Sequence, residues 1–427
     1  MRVAIVGTGV AGLTCAHVLA RRHDVTLLEA EERPGGHTHT HDVELEGHRL
    51  RVDSGFIVCN DRTYPQFLGL LDELGVATRP TTMSFSVTAR DEDFEYHGDS
   101  IGGLFAQRRN AVDPRFLRMV VEYARFNRAA RRFLRSGDET TSLQAFLRGE
   151  GFSEWFVERL MVPQASAVWS ADPAQMWRFP AVFLLRFFEN HGMLSLRDRP
   201  QWMTVAGGSR TYVDALLAPL GDRLRLGAPV TAIRRHADHV AVQVGDGPEE
   251  RFDHVVLACH SDQALALLAD ADATEREVLG AIPYQPNRAV LHTDRSLLPR
   301  RPRAWSSWNA HLLATPKDRP TVTYDMHRLQ GLPETRERLL VTLNLEEAID
   351  PRCVIATMDY AHPVFTPEGM VAQRRHAEIS GPGGTSGRTS FAGAYWRWGF
   401  HEDGVWSGLR AADALDADRA RPVEVPA

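Results

Sequence analysis

The chain has 427 residues, 43% of them hydrophobic, and a formal charge of −6, enough for about two domains with real cores. A weakly acidic balance gives no footing for nucleic acid, and four cysteines without paired spacing suggest neither a disulfide framework nor a zinc ribbon. With no spanning apolar run and no cleavable-leader pattern at the start, a cytoplasmic protein is expected.

Residues 2 to 6 read as a short buried strand. Gly7, Gly9 and Gly12 follow in G-x-G-x-x-G, then a helix from about Val10 to Arg22, then the apolar run VTLLE ending at Glu29. Strand, glycine turn, helix and acid together form a dinucleotide context. The glycines admit a pyrophosphate to the helix N-terminus, and the acid takes ribose hydroxyls. An acid at Glu29 argues against a 2′-phosphate, hence against NADP. The stretch RPGGHTHTHD then sets His37, His39 and His41 at alternate positions. On one strand they would point the same way but about 6–7 Å apart, which suits a single metal ion poorly. No metal site is expected.

Residues 81 to 200 show mainly helical periodicity and many aromatics, of which Phe183, Phe187 and Phe188 read as core. From Arg108 to Arg135, nine arginines stand against Asp113 and Glu122, a local charge of +7. On a helix after Pro114, Phe116, Met119, Val120, Tyr123, Phe126, Ala130 and Phe133 share one face, with Arg118, Arg125, Arg128, Arg132 and Arg135 on the other. This is either an ordinary surface helix or a peripheral contact with an anionic membrane. TVAGGSRTY introduces a further helix, LRLGAPVTAIRRHADHVAVQV reads as strands, and FDHVVLAC as a buried strand. Residues 271 to 384 alternate like strands in RAVLHTD, PTVTYDMHRL and RLLVTLNL, and the tail DADRARPVEVPA reads as disordered.

LLEAEERPGGHTHT resembles the second glycine motif of the flavin amine oxidase superfamily, with Arg33, Gly35 and Gly36 matching its Arg-x-Gly-Gly. His37 stands where that family usually carries Arg or Lys, so its charge would depend on pH. VDSGF resembles the segment beside the flavin ring, and FAGAYWRWGFHEDGVWSGLRAADAL the C-terminal flavin block. Over its length the chain resembles bacterial NAD/FAD-binding oxidoreductases of the flavin amine oxidase and phytoene desaturase-like superfamily. The stretches VDSGFIVCNDRTYP, AGGSRTYV, NRAVLHTD and GFHEDGVWSGL resemble a subgroup often found with cyclopropane-fatty-acid-synthase-like methyltransferases.

The resemblance implies an α/β fold: a discontinuous Rossmann-type FAD-binding domain (1–80, 200–270 and 385–415), an inserted α+β substrate domain (81–199 and 271–384) and a tail (416–427). It implies non-covalent FAD, since the C-terminal block lacks the cysteine some relatives use for a flavin thioether. The residues it assigns to the cofactor are Gly7, Gly9, Ala11, Gly12, Glu29, Ala30, Arg33, Gly35, Gly36, His37, Asp53, Gly55, Phe56, Val230, Ala258, Gly393, His401, Gly404 and Val405, with backbone donors expected near the last two. Ala258-Cys259-His260 replaces the family's frequent Ala-Thr-Gly.

Many amine oxidases of the superfamily place a lysine on the strand covering the flavin. The matching stretch here, IPYQPNRAVLHTD, has Asn287-Arg288, and arginine cannot act as a base. The one lysine, Lys317, reads as a loop residue. His292, Tyr324, His327 and His401 are the acid–base candidates. The expectation is an FAD-dependent oxidoreductase making a two-electron change (desaturation, saturation or isomerisation) at a C–C bond of an apolar, fatty-acyl or other lipid substrate, with an unknown electron acceptor. A flavin-dependent amine oxidase and a non-catalytic flavin- or nucleotide-binding interaction module are the alternatives.

Overall fold

The computed structural model describes residues 1–169, 177, 180–195 and 199–416; all but Asp416 of the tail expected to be disordered lies outside them. Arg2–Val6 forms the middle of a five-stranded parallel sheet in the order Leu224–Arg225, Asp24–Leu28, Arg2–Val6, His254–Leu257, Thr389–Phe391. Its central strands are near-continuous aliphatic runs because both faces are covered. Val3 and Ile5 pack with the helices Val10–Leu19, Pro65–Glu73, Arg210–Leu217 and His401–Leu415. Ala4 and Val6 face the antiparallel strands Val230–Arg235, Val240–Val244 and Glu249–Phe252.

The first helix stops at Leu19, short of Arg22. Arg21 and Arg22 are exposed, and the Arg22 and His23 N–H groups both close onto the Leu19 carbonyl (3.0 and 2.8 Å). The chain is thereby turned in time to begin the next strand at Asp24.

A second, seven-stranded sheet runs Val354–Pro363, Tyr284–His292, Leu340–Leu343, Val322–Asp325, Trp308–His311, Phe85–Ala89, Phe94–His97. Its last two strands come from the region read as mainly helical. SFSVTA alternates polar and apolar residues, and Phe85–Ala89 extends the sheet parallel to Trp308–His311. The remaining regular elements of that region, where described, are helices. Pro114–Ser136 buries Phe116, Met119, Phe126 and Ala130 in an aromatic cluster with Phe183, Phe187 and Phe188, and Val120, Tyr123 and Phe133 pack against its edge. Among the described residues no helix is long and apolar enough to cross a membrane.

The helices Val10–Leu19 and His401–Leu415 approach so closely that only glycine fits between them. A Cβ on Gly408 would stand 2.3 Å from the Ala11 carbonyl oxygen, and one on Gly404 would stand 2.4 Å from Val10 Cγ1. Gly69, exposed on the helix Pro65–Glu73, would meet nothing within 4 Å. Gly408→Ala is therefore expected to destabilise by about 2–3 kcal/mol through overpacking. Gly69→Ala should instead stabilise by up to about 1 kcal/mol through helix propensity. Thermal midpoints moving in opposite directions would bear this out, and an unchanged midpoint for Gly408→Ala would contradict the close approach.

Candidate functional site

Gly7 leaves the first strand at a φ of 101°, where an L side chain would be strained. A Cβ on Gly12 would lie 2.1 Å from the Gly7 carbonyl oxygen, so turn and helix close onto each other. Gly9 is different, since a Cβ there would meet nothing within 4 Å. It leaves open the N-terminus of a helix with no side-chain cap, whose first N–H groups, at Val10, Ala11 and Gly12, are suited to an anion.

Beside that turn, one Glu29 oxygen accepts from the Thr8 N–H (2.9 Å) and hydroxyl (2.5 Å), and the other accepts from the Glu31 N–H (3.1 Å). Ala30 is exposed next to it. Ala228 donates its N–H to the Glu29 carbonyl (2.8 Å), which brings Val230 to the same end of the sheet. On the other side the Ala258 carbonyl comes within 2.8 Å of the Cβ position of Gly7. Open space over Gly9, an uncapped helix N-terminus and an anchored carboxylate fit a dinucleotide.

The second glycine loop folds onto the first. A Cβ on Gly36 would be 3.2 Å from Gly9 Cα, and the Gly35 N–H donates to Thr8 Oγ1 (3.2 Å). Arg33 donates to the Gly36 carbonyl (2.9 Å) and so shapes its own loop. The three alternating histidines then separate. His39 and His41 remain together with ring centroids 4.0 Å apart. His37 turns instead to Tyr360, His362 and His260, with centroids at 5.1, 5.3 and 5.9 Å. The strand begins only at Thr40, so strand alternation does not extend back to His37.

The Nε2 atom of His37 is shielded from solvent and has no hydrogen-bond partner. Burial first, and then His362 and His260, hold its pKa well below the usual histidine range. His362 and Tyr360 were missed from sequence because they reach this spot from the end of a distant strand. The available signal was His260 in place of the family's glycine.

The VDSGF segment is zipped to the histidine run. Phe56 donates its N–H to the His37 carbonyl (2.9 Å), and a Cβ on Gly55 would stand 2.1 Å from that same oxygen. Asp53, expected at the flavin, is fully buried, and protein donors surround its carboxylate. These are Thr40 Oγ1 (2.5 Å), the Ser209 N–H and hydroxyl (3.0 Å each) and Gln330 Nε2 (2.8 Å). Burial raises its pKa to about 6 in spite of those bonds. Asp53 is a positioning residue.

The C-terminal block also differs from expectation. His401 is buried and stacked on Phe56 at 3.5 Å, and its Nε2 is shared with the Tyr212 hydroxyl (2.8 Å) and Thr38 Oγ1 (3.1 Å). Burial takes its pKa down to about 3, so its imidazole is neutral at physiological pH. The Gly393 N–H donates to Ser407 Oγ (2.9 Å). The Gly404 N–H is engaged inside the helix with the Phe400 carbonyl (3.1 Å), and Val405 is fully buried. Helix geometry leaves the first-turn N–H groups, at His401 and Glu402, without a carbonyl partner inside the helix.

The structure does not bring the acid–base candidates together. His292 shares a strand face with Val290, opposite the Ala289 and Leu291 face that packs with the Thr40–Asp53 hairpin. It is held by Thr342 Oγ1 (2.7 Å) and the Asp294 N–H (3.0 Å), and burial takes its pKa to about 4. It is a satisfied core histidine. His327 is buried in the short helix Met326–Gln330. Tyr324 lies on the hairpin side, edge-on to Trp308 at 5.1 Å. Burial raises its hydroxyl above the usual range, so it stays protonated. Lys317 pairs with Glu347 (2.7 Å) and donates to the Asn344 carbonyl (2.7 Å).

Fold and site thus define a dinucleotide-binding chain built around a parallel five-stranded sheet and a mixed seven-stranded one. Residues 10–330 match the flavin containing amine oxidoreductase family, and the chain belongs to it; FAD is its cofactor. The flavin-dependent L-tryptophan oxidase RebO of Lentzea aerocolonigenes is 27% identical over 300 residues, 62% of this chain and 58% of that one. The chain spans about half the length of the curated relatives it matches. Its fold is that of cyclohexylamine oxidase from Brevibacterium oxydans IH-35A (TM-score 0.68, 17% identity, covering 98% of this chain and 99% of the other). It is also that of a CLA-producing fatty acid isomerase from P. acnes (TM-score 0.65, 16% identity, 97% and 98% covered).

Two outcomes are expected from this site. The protein should carry FAD that acid precipitation releases, and Gly12→Val, which drives a side chain into the Gly7 carbonyl, should abolish flavin retention. Flavin remaining on the denatured chain would exclude a non-covalent site.

The second outcome concerns pH. His191, His254, His292, His311, His376 and His401 are held by burial at about 3 to 4, while an unfolded chain protonates them near 6.5. Their contribution is complete above pH 6.5 and is lost as pH falls, by about 1.4 kcal/mol per histidine per pH unit. Asp53 and Asp403, raised mainly by burial to about 6 and about 7, act in the opposite sense. Six histidines outweigh two acids, so the thermal midpoint should fall steeply as pH drops below 6.5 toward 5. A flat profile would contradict their neutral burial.

Proposed function

We propose that this chain is an FAD-dependent oxidoreductase acting on a C–C bond of an apolar, fatty-acyl or other lipid substrate. The observation that carries the reading is the state of the Tyr284–His292 strand. Asn287, near the lysine's place in related amine oxidases, is buried, accepting from Asn344 Nδ2 (2.8 Å) and hydrogen-bonded to His362 Nδ1 (2.9 Å). Arg288 is exposed, and the lone lysine is tied to Glu347 in a loop. No amine base is offered from this strand.

FAD supplies the two-electron chemistry when bound. The chain supplies the rest. Ala289, Leu291, Val341 and Met358 form an apolar sheet face toward the hairpin. Tyr324 on that face holds its proton and can give a hydrogen bond or the proton itself. The fold likeness to a fatty acid isomerase agrees with such chemistry. An amine substrate is the second reading, favoured by the names of RebO and cyclohexylamine oxidase.

The two readings separate under anaerobic conditions. Small primary amines should leave the flavin oxidised over hours, and a lipid extract incubated with the protein should yield a species changed by two hydrogens or an isomer of one component. Tyr324→Phe should slow that conversion about 10²-fold or more, the usual scale for losing a general acid, without loss of flavin. Rapid bleaching by a simple amine would overturn the lipid reading.

A further inference from the structure

The helix Pro114–Ser136 does not present an ordinary solvated outer face. Among the described residues nine large hydrophobic side chains are exposed, and four of them (Ile101, Val112, Leu117 and Val121) fall within 21 residues of one another. Leu117 (41% exposed) and Val121 (68%) stand one turn apart on the outward face, and Val112 (80%) lies just before the helix. None of them is needed to close the aromatic core, which Phe116, Met119, Phe126 and Ala130 fill from the other side.

The same outward face carries the arginines. Counting 100° per residue along the helix, Leu117 and Val121 fall in one stripe with Arg118, Arg125, Arg128, Arg132 and Arg135. Some of these charges are engaged locally: Arg118 and Arg125 with Glu122, and Arg132 with Glu150. Among the described residues Arg128 reaches only the Ala124 carbonyl (3.3 Å). The stretch keeps a local excess of +7 in a chain of −6. Aliphatic side chains set among guanidinium groups suit an interface where an apolar layer begins beneath anionic headgroups. They suit nucleic acid less well, because no exposed aromatic ring stands among them to stack on bases.

We propose that the outward face of Pro114–Ser136, with the turn around Val112, docks on an anionic lipid bilayer, the arginines meeting headgroups and Val112, Leu117 and Val121 entering the acyl boundary. This surface lies apart from the glycine turns and the hairpin, and it does not depend on the substrate reading. If the substrate is a lipid, the same contact would deliver it without passage through water.

The test is sedimentation of the flavin-loaded protein with phosphatidylcholine vesicles, with and without phosphatidylglycerol. Binding should require phosphatidylglycerol and weaken as salt shortens the screening length. Arg128→Gln and Arg135→Gln, chosen because neither residue holds a buried acid, should each weaken partitioning about fivefold, whereas the lysine replacements should retain it. Leu117→Gln with Val121→Gln should remove the part of binding that survives high salt. Flavin absorbance and thermal midpoint, unchanged in all variants, show that the fold is intact. Equal recovery in the supernatant with and without phosphatidylglycerol at low salt would overturn the proposal. So would binding that ignores all these substitutions, or binding to DNA in preference to the vesicles.

Discussion

The carboxylate of Asp53 is the constraint on which the arrangement around the site depends. It has no exposure to water, and its donors come from the Thr40–Leu45 strand, the Ser209 turn and Gln330 at the end of a short helix. Gln330 also accepts the Asp53 N–H (2.8 Å), so the two residues are joined twice. A buried carboxylate is tolerated only when its lone pairs are met. Meeting them fixes the hairpin against both the dinucleotide sheet and the seven-stranded sheet. The hairpin in turn sets the segment from His37 to Phe56, because Ser54 and Phe56 hydrogen-bond to the carbonyls of His39 and His37.

From that fixed segment the rest of the site follows by packing. Phe56 stacks on His401, which Tyr212 and Thr38 hold in turn. This sets the start of the last helix, which glycines then allow to lie directly on the first helix. Chain segments from both ends of the sequence are thus locked around the open space at Gly9. His37 closes this assembly with its Nε2 unpaired. Depending on the tautomer, a neutral imidazole leaves that nitrogen as an unmet acceptor or an unmet donor, so a bound group with a complementary polar atom would remove a cost of about 1–3 kcal/mol.

The local chemistry of the dinucleotide turn was legible in the sequence because each glycine answers a short-range demand. Gly7 needs a positive φ, Gly12 needs contact with the turn, and Glu29 follows its strand directly. The parallel sheet was legible for the same reason, since buried strands read as aliphatic runs. Convergence over long range was not legible. Nothing near His37 announces His362, and nothing near Asp53 announces Gln330. The resemblance assigns Asp53, Gly393 and Gly404 to the flavin, and what it does not reveal is that their polar groups are engaged by Ser209, Ser407 and the Phe400 carbonyl. His292, on an apolar strand, could equally be read as a core histidine, and the strand's alternation sets it opposite the Ala289 and Leu291 face with Thr342 and the Asp294 N–H as partners. The strands Phe85–Ala89 and Phe94–His97 were overlooked because the helices after them dominate the periodicity of that region.

A crystal structure of the FAD complex tests most directly whether FAD lies over Gly9 with His37 as one of its polar partners. The pyrophosphate is expected on the N–H groups of Val10 and Ala11, the ribose hydroxyls on Glu29, and a polar cofactor atom within hydrogen-bonding distance of His37 Nε2. FAD bound elsewhere, or seated over Gly9 with His37 Nε2 still unpaired, would contradict that placement.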